Sequence, residues 1–205
     1  MFEDRPKLLG NSKALDARLM QIEEIHIAPL TNFVRELQER MGREVSIPYF
    51  DPWDGSVETE VLYLLEAPGP KAVNSGFISR NNPDETAKNF FELNRDAGIH
   101  RRRTVIWNIV PWYIGNGSRI RAAKSEDIAQ GRDSLVHLFE HLPKLRAVVL
   151  VGAKAQKVEK ELTQLNSSLA VFSCPHPSPM FVNRSPGNRN IILEKLKAIQ
   201  DFLEH

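Results

Sequence analysis

The chain has 205 residues, 41% hydrophobic and 26% charged, which suits one globular domain with a full core. Its formal net charge is +1, so bulk charge does not mark a nucleic-acid binder and local clusters must carry any such case. The single cysteine, Cys174, excludes a disulfide framework and any all-cysteine zinc or iron–sulfur site, and it suits a reducing compartment. No apolar run approaches the ~18 residues of a membrane span, and the start MFEDRPKLLG has no apolar signal region. A soluble cytoplasmic protein with no membrane partner is expected.

In chain order, a helix is predicted from about Ile25 to Met41, followed by the turn-rich SIPYFDPWDGSVETE. EVLYLLEA (Glu60–Ala67) then reads as a buried strand. NPDETAKNFFELNRDAG opens on a proline and an acidic turn, sets Ala87, Phe90, Phe91 and Ala97 near one helical face, and stops at Gly98. TVIWNIV (Thr104–Val110) is the second strand. SEDIAQGRDSLVHLFEHL is a helix from Ser125 to Leu142, with Ile128, Leu135, Leu138, Phe139 and Leu142 on its apolar side. RAVVLVG (Arg146–Gly152) is a strand, AKAQKVEKELTQL a helix and LAVFSC (Leu169–Cys174) the fourth strand. The last helix, NRNIILEKLKAIQDFLEH, has Ile192, Leu196, Ile199 and Leu203 at helical spacing.

The four strands are short and almost continuously apolar, as in parallel sheets covered on both faces. Strand alternating with helix predicts a three-layer α/β/α sandwich around a four-stranded, mostly parallel sheet. Residues 1–205 form one domain, with 1–55 as an N-terminal helical extension. Ligands of such folds sit outside the carboxyl ends of the strands. LEAPGP, NIVPWYIG, VGAK and CPHPSPMF therefore belong together, and three of these four contain proline, which stiffens a loop.

Candidate chemistry sits in those segments. Glu66 ends the first strand, either as a working carboxylate or as a solvated strand-end residue. Asn108 lies in an apolar strand, where its amide must be hydrogen-bonded. It either ties a loop or reads a ligand edge, and its paired donor and acceptor suit a nucleobase. His176 is braced by Pro175 and Pro177. No second ligand lies at metal spacing; His137 and His141 lack the glutamate of a zincin and read as a solvated face. No G-x-S-x-G elbow and no Walker loop are present. HRRR (His100–Arg103), SRIRAAK (Ser118–Lys124) and NRSPGNR (Asn183–Arg189) are basic clusters. The latter two follow strands and would give a near-neutral protein a basic rim for phosphates.

LEAPG (Leu65–Gly69), SGFIS (Ser75–Ser79), WNIVPW (Trp107–Trp112) and HPSP (His176–Pro179) occur in that order. Together they resemble the uracil-DNA glycosylase superfamily, nearest the branch whose first motif reads G-E-A-P-G. The resemblance runs from about Val61 to Arg189. It implies a monofunctional enzyme that flips a damaged nucleotide into a pocket and hydrolyses its N-glycosidic bond, leaving an abasic site. By resemblance, His176 donates to a uracil carbonyl as charge builds there. Glu66 either stabilises the sugar cation or orients water. Asn108 pairs with the polar edge of uracil, and Phe77 stacks on the base. Ala67, Pro68, Gly69 and Ser178 lie near phosphates. Met180 and Phe181 form the wedge into the vacated stack, unless they are simply a packed core pair. Arg184 and Arg189 contact DNA.

The chain also departs from the resemblance. That branch binds an iron–sulfur cluster through four cysteines, which this chain cannot do, so no cofactor or metal is expected. The N-terminal helix or the SRNNPDE loop would supply that stability instead. Leu65 replaces a glycine, and Ala67 stands where other branches place a water-activating Asp or Asn. Gly69 stands where one branch has a tyrosine against thymine's methyl group, which predicts room for bulkier bases. The implied partner is DNA containing uracil or abasic sites, and the implied state is a monomer. Two alternatives stay open: a non-catalytic binder of abasic or damaged DNA with the same fold, and a nucleotide-binding α/β protein or hydrolase unrelated to DNA.

Overall fold

The computed structural model describes residues 2–42, 44–116 and 120–205. Helix α1 (Ser12–Leu19) starts on Asn11, whose side chain accepts from the Ala14 N–H. Helix α2 spans Ala28–Met41, with a proline in its first turn. It starts later than the expected Ile25 because Pro29 fits a first turn and not a helix interior. Strand β1 (Tyr49–Phe50) follows, then β2 (Val61–Leu65), α3 (Pro70–Ser75) and β3 (Phe77–Ile78). Helix α4 (Glu85–Asp96) is capped by Asp84 through the Ala87 N–H. Next come β4 (Thr104–Asn108), α5 (Ser125–Glu140) and β5 (Ala147–Val151). The expected helix after Gly152 divides into a 3-10 turn at Ala155–Val158 and α6 (Glu159–Leu165). The chain closes with β6 (Ala170–Cys174), α7 (Pro179–Val182) and α8 (Asn188–Glu204).

The main sheet has the order β4-β2-β5-β6 and is wholly parallel. Its register sets Leu65 beside Asn108 and Val151 beside Cys174, so the strands end level with one another. Every residue of β4 and β5 is buried, which explains their continuous apolar sequence. Helix α2 packs on α5, and α4 packs on α8, which makes the two outer layers. From β2 the chain moves outward to β4, then returns past β2 to β5 and β6. The order therefore reverses between β2 and β5, where an open parallel sheet has its crevice.

The N-terminal segment is built into this body. Strand β1 pairs with β3, Tyr49 opposite Phe77, so it holds the SGFIS motif. Phe50 stacks on Trp107 with ring centres 4.1 Å apart. Beyond β1 lies a buried ionic knot. Asp51 receives hydrogen bonds from Arg18, Ser79 and Arg101, and Arg101 also binds Asp54 at 2.8 Å and Asp4 at 2.8 Å. Arg80 reaches Thr104 at 2.6 Å. Arg18 lies 3.5 Å over the Trp53 ring, a favourable cation–π contact. Helix α1, through Arg18, and the SRNNPDE loop, through Ser79 and Arg80, meet in this knot.

Candidate active site

The first carboxyl end carries Glu66. The β2–β4 ladder outlasts the strands, with Ile109 N–H donating to Leu65 and Val110 N–H to Glu66 at 2.9 Å. The Glu66 backbone is thereby fixed in the sheet although Pro68 and Pro70 prevent a longer strand. Its Oε1 accepts from the Ala123 N–H at 2.7 Å, just before α5. Oε2 has no hydrogen bond among the described residues.

Asn108 ends β4 one register step away, 3% exposed, and its Nδ2 has no partner among the described residues. A buried amide donor left unpaired costs about 1–3 kcal/mol. A ligand acceptor would complete it.

His176 is half-buried beyond β6. Three contacts hold its loop. Gly152, at φ 91°, lies against the imidazole, so that a Cβ there would come 3.2 Å from the His176 Cβ. The Gly152 N–H donates to Cys174 O at 2.8 Å. Asn89 of α4 donates to Pro177 O at 2.9 Å. Burial lowers the His176 pKa from its ordinary value, while the charges of Glu66 and Asp84 pull it partway back. Burial thus favours the neutral imidazole, which lies near enough to Glu66 to feel its charge. Burial also pushes the neighbouring Cys174 thiol up to about 12, so this cysteine is no thiolate nucleophile.

The structure gathers Glu66, Asn108 and His176 at one end of the sheet. Pro68 is buried, Ala67 leans on the core, and a Cβ at Gly69 would meet nothing. Phe77 is fully buried, so a base could stack on it only after a neighbouring group moved. The Ser178 hydroxyl accepts from the Phe181 N–H at 3.4 Å and caps α7. The Met180–Phe181 pair divides: Met180 is 84% exposed, whereas Phe181 packs against the core.

The basic clusters are spent more on internal pairs than expected. In HRRR, Arg101 is drawn into the ionic knot and Arg103 binds Glu60 and Glu204, whereas His100 and Arg102 are exposed. Arg121 pairs with Asp127 at 2.6 Å, and Arg189 with Asp96 at 2.7 Å. Arg184 is exposed. Ser118 and Arg119 of SRIRAAK lie outside the described residues. A cleft of about 500 Å³ lies elsewhere, between α2 and the last turns of α5, lined by Phe33, His137 and His141. At 1.5 Å per residue along α5 it is about 20 Å from Ala123. Among the described residues no cluster of His, Cys, Asp and Glu forms a metal-binding arrangement, and no helix is long and apolar enough to cross a membrane.

A family model, the Uracil DNA glycosylase superfamily, matches residues 52–202. The chain belongs to that superfamily. Among solved structures it is similar to SMUG2 from Pedobacter heparinus, with a TM-score of 0.56 and 12% identity over 89% of this chain and 86% of that one. It is also similar to UNG from Nitratifractor salsuginis, with a TM-score of 0.46 and 14% identity over 95% of this chain and 98% of that one. At 12% identity the likeness to the Pedobacter heparinus structure is one of fold. Among curated proteins no sequence match emerges.

Sequence reasoning missed several residues that position the site. Asn89 and Asp84 lie on or before α4, and nothing in their helical pattern sets them apart. Ala123 acts through its backbone, which leaves no trace in side-chain identity. Gly152 was legible as a strand-end glycine but not as the support of His176.

Proposed function

We propose that this superfamily member is a monofunctional glycosylase that hydrolyses the N-glycosidic bond of uracil in DNA and leaves an abasic site. The observation that carries the reading is the unpaired, buried Nδ2 of Asn108 at the same end of the sheet as Glu66 and His176. A carbonyl acceptor of a flipped pyrimidine would complete it. As the bond from C1′ to the base breaks, its electron pair leaves with the base. The neutral His176 then donates a hydrogen bond to the base carbonyl on which that negative charge gathers. Glu66, tied through Oε1, has Oε2 left for the sugar cation or the attacking water. Water adds its oxygen to C1′, and the proton it loses neutralises the departed base anion. The wedge falls to Met180, since Phe181 is committed to the core.

The test is incubation of the protein with single- and double-stranded oligonucleotides bearing one uracil, followed by alkali. Strand cleavage at the uracil is expected; none on either substrate overturns the reading. A panel of uracil, hypoxanthine, xanthine and thymine mispairs fixes the base range. The empty space at Gly69 favours acceptance of bases bulkier than uracil.

Ala67 favours a second reading. Its side chain packs on the core and offers no polar group at the water-activating position. A non-catalytic protein would bind abasic DNA tightly and release no base in single-turnover assays.

A further inference from the structure

The loop after β5 touches the supports of both reacting groups. Gly152 lies under His176, and its positive φ of 91° leaves no room for a side chain there. Two residues on, the half-buried Lys154 donates from Nζ to the Ala123 carbonyl at 3.2 Å. The N–H of the same Ala123 donates to Glu66 Oε1 at 2.7 Å. Lys154, Ala123 and Glu66 thus form a chain of two hydrogen bonds through one residue's backbone. The Ala123 side chain is buried, and its N–H and carbonyl lie in adjacent peptide planes that meet at its Cα.

We infer that Lys154 is a positioning residue for Glu66. It holds the Ala123 carbonyl and, through the Cα where the two peptide planes meet, restrains the N–H that orients the carboxylate, from the same loop that seats His176. The two groups stand on strands β2 and β6, separated by β5, and share no direct bond. A loop between them that contacts one and restrains the other fixes their separation. A nucleophile or charge stabiliser displaced by ~1 Å loses on the order of 100-fold in rate, so a brace at this point acts on turnover rather than on binding. Were Lys154 a phosphate ligand instead, its loss would weaken DNA binding and flatten its salt dependence.

This inference rests on the glycosylase reading, and two measurements on the full chain separate their fates. The first is independent of activity: the ¹⁵N–¹H resonance of the Ala123 amide followed through a pH titration. In the wild type it should move with the ionisation of Glu66. Glu66→Gln should abolish that movement, Lys154→Met should shrink it, and Lys154→Arg should largely restore it. An unchanged titration in Lys154→Met overturns the inference whether or not the protein is an enzyme. The second is kinetic, on uracil-containing DNA. Lys154→Met should lower kcat on the order of 10- to 100-fold with KM and its salt dependence unchanged, and Lys154→Arg should recover most of it. A change confined to KM assigns Lys154 to DNA binding and overturns positioning. Absence of base release by the wild type would sink the glycosylase reading and leave the amide titration to decide this one.

Discussion

Two sets of charged and polar groups sit at opposite ends of the sheet, and they are treated in opposite ways. Before β4, Asp51 has both oxygens bonded and Arg101 meets three carboxylates. Burial alone would push the Asp51 pKa up, yet Arg101 and Arg18 hold it below the ordinary value. Beyond the strand ends, Glu66 has one tied oxygen, Asn108 an empty donor and His176 a pKa lowered by burial. The charges of the knot are paired with one another, although Arg18 Nη2, Asp54 Oδ2 and Arg80 Nε lack hydrogen bonds among the described residues. Groups meant for a ligand are fixed in place but left incomplete, at a standing cost of about 1–3 kcal/mol for each buried unpaired group.

The largest effect should come from breaking the paired end. Arg101→Met strips Asp4, Asp51 and Asp54 of their common partner. Leaving buried charges uncompensated costs about 3–5 kcal/mol, so urea or thermal unfolding should show a marked loss of stability. Activity per folded molecule should hold, because the knot does not touch the strand ends. A variant as stable as the wild type would mean that this network is ornamental.

His176→Ala should do the converse. Loss of a preorganised donor to developing charge costs about 2.7–4 kcal/mol in the transition state, on the order of 100- to 1000-fold in kcat, with the melting temperature almost unchanged. Equal rates in variant and wild type would remove His176 from the chemistry.

These two ends were unequally legible in the sequence. The strand-end site could be read because it follows from topology: four apolar runs, parallel pairing, and chemistry at their carboxyl ends. Asn108 within TVIWN and His176 between two prolines stand out against their neighbours. The knot was hidden because its partners are distant in sequence. Arg18 and Asp51 lie 33 residues apart and Arg101 and Asp51 lie 50 apart, so HRRR gives no sign that Arg101 is internal. Helices α1, α3 and α7 were missed for a different reason. Each is short, and α3 and α7 begin at prolines that read equally well as turns. The backbone contacts through Ala123 leave no signature of residue type at all.

A smaller effect should separate function from stability at one residue. Asn108→Leu removes the orphaned amide and leaves an apolar group of similar size in a buried strand. It should stabilise the fold by up to about 1 kcal/mol, since replacing an unsatisfied polar group by an apolar one can be favourable. Base release should nevertheless fall steeply. A stability loss with unchanged activity would show that the amide is bonded in solution, and the contrast between the two ends would weaken.

The smallest effect is a pH dependence, and its sign follows from burial. His176 is buried in its neutral form, so its folded pKa lies below the value of about 6.5 expected for an unfolded chain. The unfolded state therefore binds the proton more readily, and stability is lost as pH falls through 6.5 and on through the folded pKa. Above about 6.5 both states hold a neutral ring and the contribution is full. Glu66 and Asp84 favour the charged ring and narrow this window without reversing it. The rate should share the acid limb. A protonated imidazole would lie near the Glu66 carboxylate and neutralise the negative charge that would face a sugar cation. Base release should stay level from pH 8 toward about 6.5 and decline below it. His176→Asn should flatten the stability profile over the same range. An acid limb lying wholly above pH 6.5 would mean that neighbouring carboxylates, not burial, govern this histidine, and that the open end of the sheet is electrostatically closer to the knot than its hydrogen bonds suggest.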